Sequence, residues 1–292
     1  MDRYNEAIAA SKTPIDLATV KAATAKILEK APENMKPEHL RLIFNCIDLT
    51  TLSTEDSQRS VAAFTQRIND FDNDYPQYGH VAAICVYSNF AEVVKASLDV
   101  PGVNVAVVAG GFPSGQTFTS VKVADAALAR AEGANEVDVV MNLGMLLDGD
   151  YESLCDELIE IKHTIKDSRL KVILETGALK TPENIRKASV LALYSEADFL
   201  KTSTGKIYPG ASPEAAWVMC NCIKEYFQTT SRRVGFKAAG GIRTAEDAVA
   251  YYTIVKEVLG EEWLTPDYFR IGASSLANKI LAALENSEVN YF

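Results

Sequence analysis

The stretch Asp198-Phe-Leu-Lys-Thr-Ser-Thr204, then Ser212-Pro-Glu214, then Val234-Gly-Phe-Lys-Ala-Ala-Gly240 decides the fold. Two short apolar runs bracket a longer amphipathic segment. Its opening Ser-Pro-Glu reads as a helix N-terminus, with a serine to cap free N–H groups, a proline preset to helical φ and an acid in the first turn. Outward from this unit the alternation continues. Strand-like runs fall at residues 44–51, 80–87, 104–110, 136–142, 170–176, 198–204, 234–240 and 269–275. Most are rich in Val, Ile and Phe and apolar on both parities, as in strands buried on both faces. Further helix openings are read at Ser53 or Thr54, with Glu55 and Asp56 in the first turn, at Thr181-Pro-Glu183 and at Thr244-Ala-Glu-Asp247. Strands alternating with helices predict an α/β protein with a parallel sheet, and eight is the number that closes a (β/α)8 TIM barrel. No Pro/Ser-rich linker divides the repeat, so residues 37–292 are expected to form one barrel. Residues 1–36 are expected to be an N-terminal helical extension, with Pro32 and Pro37 near its end.

Composition narrows the function classes. The 292 residues are 48% hydrophobic and 23% charged, the balance of an ordinary globular chain. No uncharged run approaches the ~18–20 residues that would span a bilayer, and Met1 to Ser11 has no apolar core of a secretory signal. A formal net charge of -10 argues against non-specific nucleic-acid binding. It leaves room for a phosphorylated substrate, because a local cationic pocket overrides net charge. Cys46, Cys85, Cys155, Cys220 and Cys222 are odd in number and mostly far apart. They fit neither a disulfide framework nor a zinc cluster and read as reduced cysteines of a cytoplasmic protein.

In a barrel of this kind the chemistry sits at the C-terminal ends of the strands. Two lysines interrupt apolar strands there, Lys201 and Lys237. Burial lowers a lysine pKa and a second cation nearby lowers it further. A neutral amine is a good nucleophile toward carbonyls, the activation used by Schiff-base lysines. The plainer alternative is that each lysine pairs with a carboxylate or snorkels out. Asp48 and Asp138 interrupt strands in the same way, either as proton carriers or as partners that neutralise the lysines. Glu175 is read as a structural hydrogen-bonding partner.

The three histidines, His39, His80 and His163, avoid the strand C-terminal ends, so a metal site built on imidazoles is not expected, nor any cofactor. A lysine imine is the simpler electrophile. Phosphate cradles are read after the last strands: Lys206 closes Lys201-Thr-Ser-Thr-Gly205-Lys206, Gly240-Gly241-Ile242-Arg243 ends one strand, and Gly272-Ala273-Ser274-Ser275 opens the final helix. Glycines expose N–H groups, serines add donors and the helix N-terminus favours an anion. Cys85 is read as facing the same cavity or as ordinary core.

These segments, in this order, resemble the 2-deoxyribose-5-phosphate aldolase family. The motifs are Ile47-Asp-Leu-Thr-Thr51, Ile84-Cys-Val-Tyr87, Glu136-Val-Asp-Val-Val140, Leu174-Glu-Thr-Gly177, the 198–206 and 235–244 segments, and Gly272-Ala-Ser-Ser275. The resemblance spans roughly residues 40–285 and implies a metal-free class I aldolase. Its implied reaction is reversible cleavage of 2-deoxy-D-ribose 5-phosphate to acetaldehyde and D-glyceraldehyde 3-phosphate. It further implies Lys201 as the Schiff-base lysine, Lys237 as its tuner, Asp138 as proton relay with a water, and Asp48 near the reacting hydroxyls. Lys206, Gly240, Gly241, Arg243, Ser274 and Ser275 match the phosphate end, and Thr50, Gly205, Gly272 and Cys85 the remaining substrate contacts. The expected partners are small phosphorylated sugars and aldehydes and further copies of the chain, not nucleic acid or membrane. Family members often end in a tyrosine thought to aid proton transfer; here Tyr291 is followed by Phe292. A class I aldolase for another phosphorylated sugar, or a silent phosphate-metabolite-binding barrel, are the competing readings.

Overall fold

A computed structural model describes residues 3–292; the first two residues of the expected extension lie outside it. Eight parallel strands form a closed barrel in sequence order: β1 (Ile47–Thr50), β2 (Ala83–Tyr87), β3 (Asn104–Ala109), β4 (Glu136–Val140), β5 (Arg169–Ile173), β6 (Phe199–Lys201), β7 (Gly235–Ala239) and β8 (Phe269–Ala273). Closure comes from β8 pairing with β1, where Ile271 faces Ile47 and Gly272 faces Asp48. Each expected run overlaps an observed strand; the observed strands are shorter, and β5 starts one residue earlier than read. Phe44 and Asn45 belong instead to the helix Pro37–Asn45, begun by a proline at its first turn, so the first strand starts later than read. At the other ends the chain leaves the ladder at the barrel rim, as at Gly110 and Gly240, where φ is +69° and +85°.

Three of the read helix openings are correct: Thr181, Ser212 and Thr244 each accept a hydrogen bond from an N–H in the first turn. The fourth is displaced. The helix after β1 is Gln58–Asp74, capped by Ser57 with a reciprocal box to Ser60. Asp56 is not in its first turn, because its carboxylate accepts from Thr51 Oγ1 at 2.9 Å and Ser53 N at 2.9 Å and folds the rim loop first.

Residues 3–36 hold helices Arg3–Ala10 and Leu17–Leu28 and a 3-10 turn Ala31–Asn34. They lie outside the barrel against helices Pro182–Tyr194, Pro213–Thr230 and Ala245–Val258. Ser11 Oγ donates to Glu225 at 2.7 Å, and Arg186 donates to the Ser11 and Thr13 carbonyls at 3.3 Å each. Asn34 donates to Thr253 Oγ1 at 3.0 Å. At the other terminus the Asn278 side chain pins the tail, accepting from Tyr291 N and Phe292 N at 2.9 Å. Tyr291 and Phe292 pack on Phe71, and Phe292 also on Phe44. These aromatics belong to the end of the barrel where β1 begins, so Tyr291 sits on the face opposite the strand C-termini.

The lumen is divided by sequence. Inward positions of β2 and β3 are small or apolar, and Ala83, Cys85, Ala106 and Val108 form a separate cluster with Leu52. Each strand from β4 through β8, and β1, places at least one charged side chain in the lumen, namely Glu136, Asp138, Lys171, Lys201, Lys237, Arg270 and Asp48, and all seven are buried.

Candidate active site

The charged half of the lumen is one connected network. Asp138, on β4, accepts from Lys201 Nζ at 2.8 Å and Lys237 Nζ at 2.8 Å on one oxygen, and from Lys171 Nζ at 3.0 Å on the other. Asp48, on β1, accepts from Lys237 Nζ, from Lys171 Nζ at 3.3 Å and from Arg270 Nη1 at 2.6 Å. Glu136, two residues before Asp138 and therefore on the same face of β4, pairs with Arg270 at 2.7 Å and Lys171 at 2.5 Å. The parallel register makes this possible: Lys201 lies beside Lys237, Lys237 beside Arg270, and Asp138 beside Lys171.

Electrostatics separate the two lysines that the sequence singles out. Burial pulls Lys201 below the ordinary lysine range, and Lys237 pulls the same way against the opposing pull of Asp138. Burial acts on Lys237 as well, but Asp138 and Asp48 outweigh it and hold Lys237 above its usual value. Burial therefore decides the direction only for Lys201, where few carboxylates are in reach, while Lys237 follows the alternative of pairing with carboxylates. Asp138 is likewise held below the usual carboxylate range, burial being outweighed by Lys171, Lys201 and Lys237. Lys171, Lys237 and Lys201 differ in one more respect. Lys201 lines the cavity at the strand C-termini, whereas the other two lie behind it.

That cavity measures about 430 Å³. Thr50, Gly205, Lys206, Gly240, Gly241, Arg243, Gly272, Ser274 and Ser275 all contribute to its wall, so the residues read as the phosphate end are brought together above Lys201. Gly205, Gly240 and Gly241 have φ of +74°, +85° and +82°, a backbone region that favours glycine. The final helix, Leu276–Glu285, begins directly after Ser275, which lines this mouth, so the positive end of its dipole lies beside the cavity. Lys206 Nζ reaches across to the Leu52 carbonyl at 2.6 Å. Glu175, as read, is structural: at φ +51° it accepts from Thr204 N at 3.2 Å and Thr204 Oγ1 at 2.5 Å, fixing the turn between Lys201 and Lys206.

Cys85 does not join the cavity wall. It packs in the apolar half of the lumen, where burial pushes its thiol up. Asp48, Asp138 and Lys237 are also set back from the cavity, behind Lys201. Sequence reasoning passed over Lys171, Glu136 and Arg270, although a charged residue in an apolar strand is the same signal that marked Lys201. It passed over Gly210 too, whose backbone lies against that of Gly240; a Cβ there would stand 2.2 Å from the Gly240 oxygen.

Taken together, a weakened buried amine opening into a polar, donor-lined mouth suits covalent chemistry on a carbonyl compound that carries an anionic group. The chain is similar to known aldolases. Residues 44–279 match the model of the DeoC/LacD family of aldolases. A deoxyribose-phosphate aldolase of Mus musculus is 43% identical over 249 residues, covering 80% of this chain and 77% of its own. Among solved structures, the aldolase QR15 matches with a TM-score of 0.67 at 29% identity, over 82% of this chain and 96% of its own. A tetrameric deoxyribose phosphate aldolase from Aeropyrum pernix matches with a TM-score of 0.66 at 26% identity, over 89% and 97%. Because the family match runs from the end of the helix before β1 to the helix after β8 and takes in every member of the charged network, the chain belongs to the DeoC/LacD family of aldolases.

Proposed function

We propose that this aldolase cleaves 2-deoxy-D-ribose 5-phosphate reversibly to D-glyceraldehyde 3-phosphate and acetaldehyde through an imine on Lys201. The observation that carries the reading is the asymmetry of the network: among its charged members Lys201 alone lines the cavity, and it shares its carboxylate with lysines held more firmly protonated. In this reading the neutral Lys201 amine adds to the open-chain C1 aldehyde, and loss of water gives the imine. Protonated, the iminium accepts the electron pair of the C2–C3 bond as it breaks, leaving a two-carbon enamine on Lys201. The C3 hydroxyl gives up its proton as its carbon becomes the aldehyde of glyceraldehyde 3-phosphate. Asp138, within reach of Lys201, takes that proton through a water and returns one to the enamine carbon. Hydrolysis then frees acetaldehyde and the amine.

Lys237 keeps Lys201 from holding its own proton tightly, and Asp48 keeps Lys237 in place. The glycine turns at Gly240 and Gly241, with Ser274, Ser275, Lys206 and Arg243, would seat the phosphate and so orient C1 over Lys201, a gain in positioning rather than chemistry. The similarity to the named deoxyribose-phosphate aldolases supports the choice of substrate. Self-association, as in the tetrameric relative, and residence in the cytoplasm belong to the same proposal. The latter is supported by five free, buried cysteines.

The test is a coupled assay for glyceraldehyde 3-phosphate release, run on 2-deoxyribose 5-phosphate beside fructose 1,6-bisphosphate. Preference for the deoxy sugar by at least about tenfold in kcat/KM, roughly 1.4 kcal/mol of transition-state discrimination, is expected. Preference for the bisphosphate moves the substrate, and no turnover of either favours a binding barrel.

A further inference from the structure

The network that holds Lys201 has an odd charge count. Its cations are Lys171, Lys201, Lys237 and Arg270, and its carboxylates are Asp48, Glu136 and Asp138; every one is buried. Charges nearby do not alter the balance. Arg169 approaches Glu136 at 3.5 Å but is partly exposed and engages Asp267 at 2.5 Å, a pair that cancels itself at the outer rim. Cys46 and Cys85 contribute no charge, because burial raises both thiols, Cys46 to about 12. From β3 only the neutral amide of Asn104 reaches the cluster, donating to Glu136 at 3.1 Å. Lys206 and Arg243 lie on the solvent side of the cavity.

With every lysine protonated, the buried cluster therefore carries one uncompensated positive charge. An unpaired charge in a low-dielectric interior is strongly disfavoured, and the relief is loss of a proton. Arg270 does not deprotonate in proteins. Lys171 touches all three carboxylates and Lys237 two, while Lys201 touches one, already shared. The surplus is thus discharged at Lys201, the position facing the cavity.

We propose that Arg270 and Glu136, neither of which reaches the cavity, are positioning residues of the aldolase site whose charges fix the count that leaves Lys201 as a free amine. The inference rests on Lys201 being the imine-forming group, and it deepens that reading. It makes the state of Lys201 depend on the sum of charges in the lumen rather than on the identity of any one neighbour. Arg270→Met equalises cations and carboxylates and so lets Lys201 keep its proton. Glu136→Gln enlarges the surplus and drives the proton off more readily. Arg270→Met combined with Glu136→Gln restores the original surplus of one.

The readout is the pH midpoint for acetylation of Lys201 by trace acetic anhydride, followed by peptide mass spectrometry on the folded full-length protein. It needs no turnover. Arg270→Met is expected to move the midpoint in the alkaline direction by at least about one unit, with a tenfold loss of free amine at neutral pH. Glu136→Gln is expected to move it in the acid direction, and the double variant to return within about half a unit of wild type. Opposite signs followed by rescue are not what simple loss of packing produces. Both single variants moving the same way, or neither moving, overturns the proposal. So does a double variant displaced by a full unit, which settles the matter alone if the single variants do not fold. Acetaldehyde with cyanoborohydride on the wild-type protein separates the two layers: midpoints that move as stated with no ethyl adduct on Lys201 keep the charge count and remove the imine.

Discussion

Gly210→Ala tests whether the cavity mouth works as a phosphate seat. A Cβ at position 210 would stand 2.2 Å from the Gly240 oxygen, 2.4 Å from its carbonyl carbon and 2.8 Å from its Cα. All three are backbone atoms, so no side chain can swing away. Bringing the nearest contact out to an ordinary separation of roughly 3.4 Å requires the loops after β6 and β7 to part by more than an ångström. That parting also strains the bonds from Ala211 N to the Ala239 and Gly240 carbonyls, at 3.0 Å and 3.1 Å. Lys201 itself lies on the strand below and stays in register with Lys237. A misplacement of about 1 Å is enough to reduce a rate ~10²-fold when it displaces a group that orients the substrate. The variant is therefore expected to lose on the order of 10² in kcat/KM for 2-deoxyribose 5-phosphate, or roughly 2.7 kcal/mol, mostly as a raised KM. Unphosphorylated 2-deoxyribose, which cannot use the seat, should lose less than about threefold. Both substrates are followed by acetaldehyde release. Equal losses on the two sugars would refute the reasoning and place the Gly210–Gly240 contact in the scaffold rather than in substrate binding.

Three further outcomes follow from the same physical picture. Asp138→Asn removes the carboxylate charge shared by three lysines while leaving the Lys201 amine in the cavity; turnover should fall by roughly 10²–10⁴ while acetaldehyde trapping on Lys201 persists. Away from the lumen, Lys122 and Glu157 form a buried pair at 2.6 Å, so Lys122→Met strands a carboxylate and should cost about 3–5 kcal/mol in urea unfolding. The double change Lys122→Met with Glu157→Leu should recover most of that loss, and equal destabilisation by both would contradict the pairing argument. Acid stability follows from the lumen carboxylates. Asp48, Glu136 and Asp138 have folded-state pKa values below their ordinary 3.8–4.5, so they stabilise the fold fully above that range and lose the contribution as pH falls through it toward their folded values. A thermal midpoint that declines below about pH 4 is expected, and one that is flat from neutrality to pH 3 would contradict the network.

The barrel was legible because its strands are apolar on both parities and separated by capped amphipathic segments, a pattern that does not depend on distant contacts. Lys201 and Lys237 were legible as ammonium groups placed where an apolar wall was expected. Lys171, Glu136 and Arg270 carry the same signature near the beginnings of their strands, where charge reads as a strand entry in solvent. Only the tilt and closure of the barrel bring those positions into one layer beneath Lys201. Gly210 gave no local sign at all, since its need for a missing Cβ arises from the approach of another loop. Ser57 was masked as a cap by Ser53 and Thr54, equally good candidates until Asp56 is seen to be committed to the rim turn. The opposite shifts of the two lysines were not legible either. Burial is evident from sequence, but the number of carboxylates each amine touches is set by the fold.

The most direct test of the account is intact-mass spectrometry after incubation with acetaldehyde and sodium cyanoborohydride, followed by peptide mapping. One ethyl group on Lys201 in the wild-type protein, absent in Lys201→Arg, is the predicted result. An unmodified protein, or ethylation confined to surface lysines, would contradict the imine and with it the role given to the charged lumen.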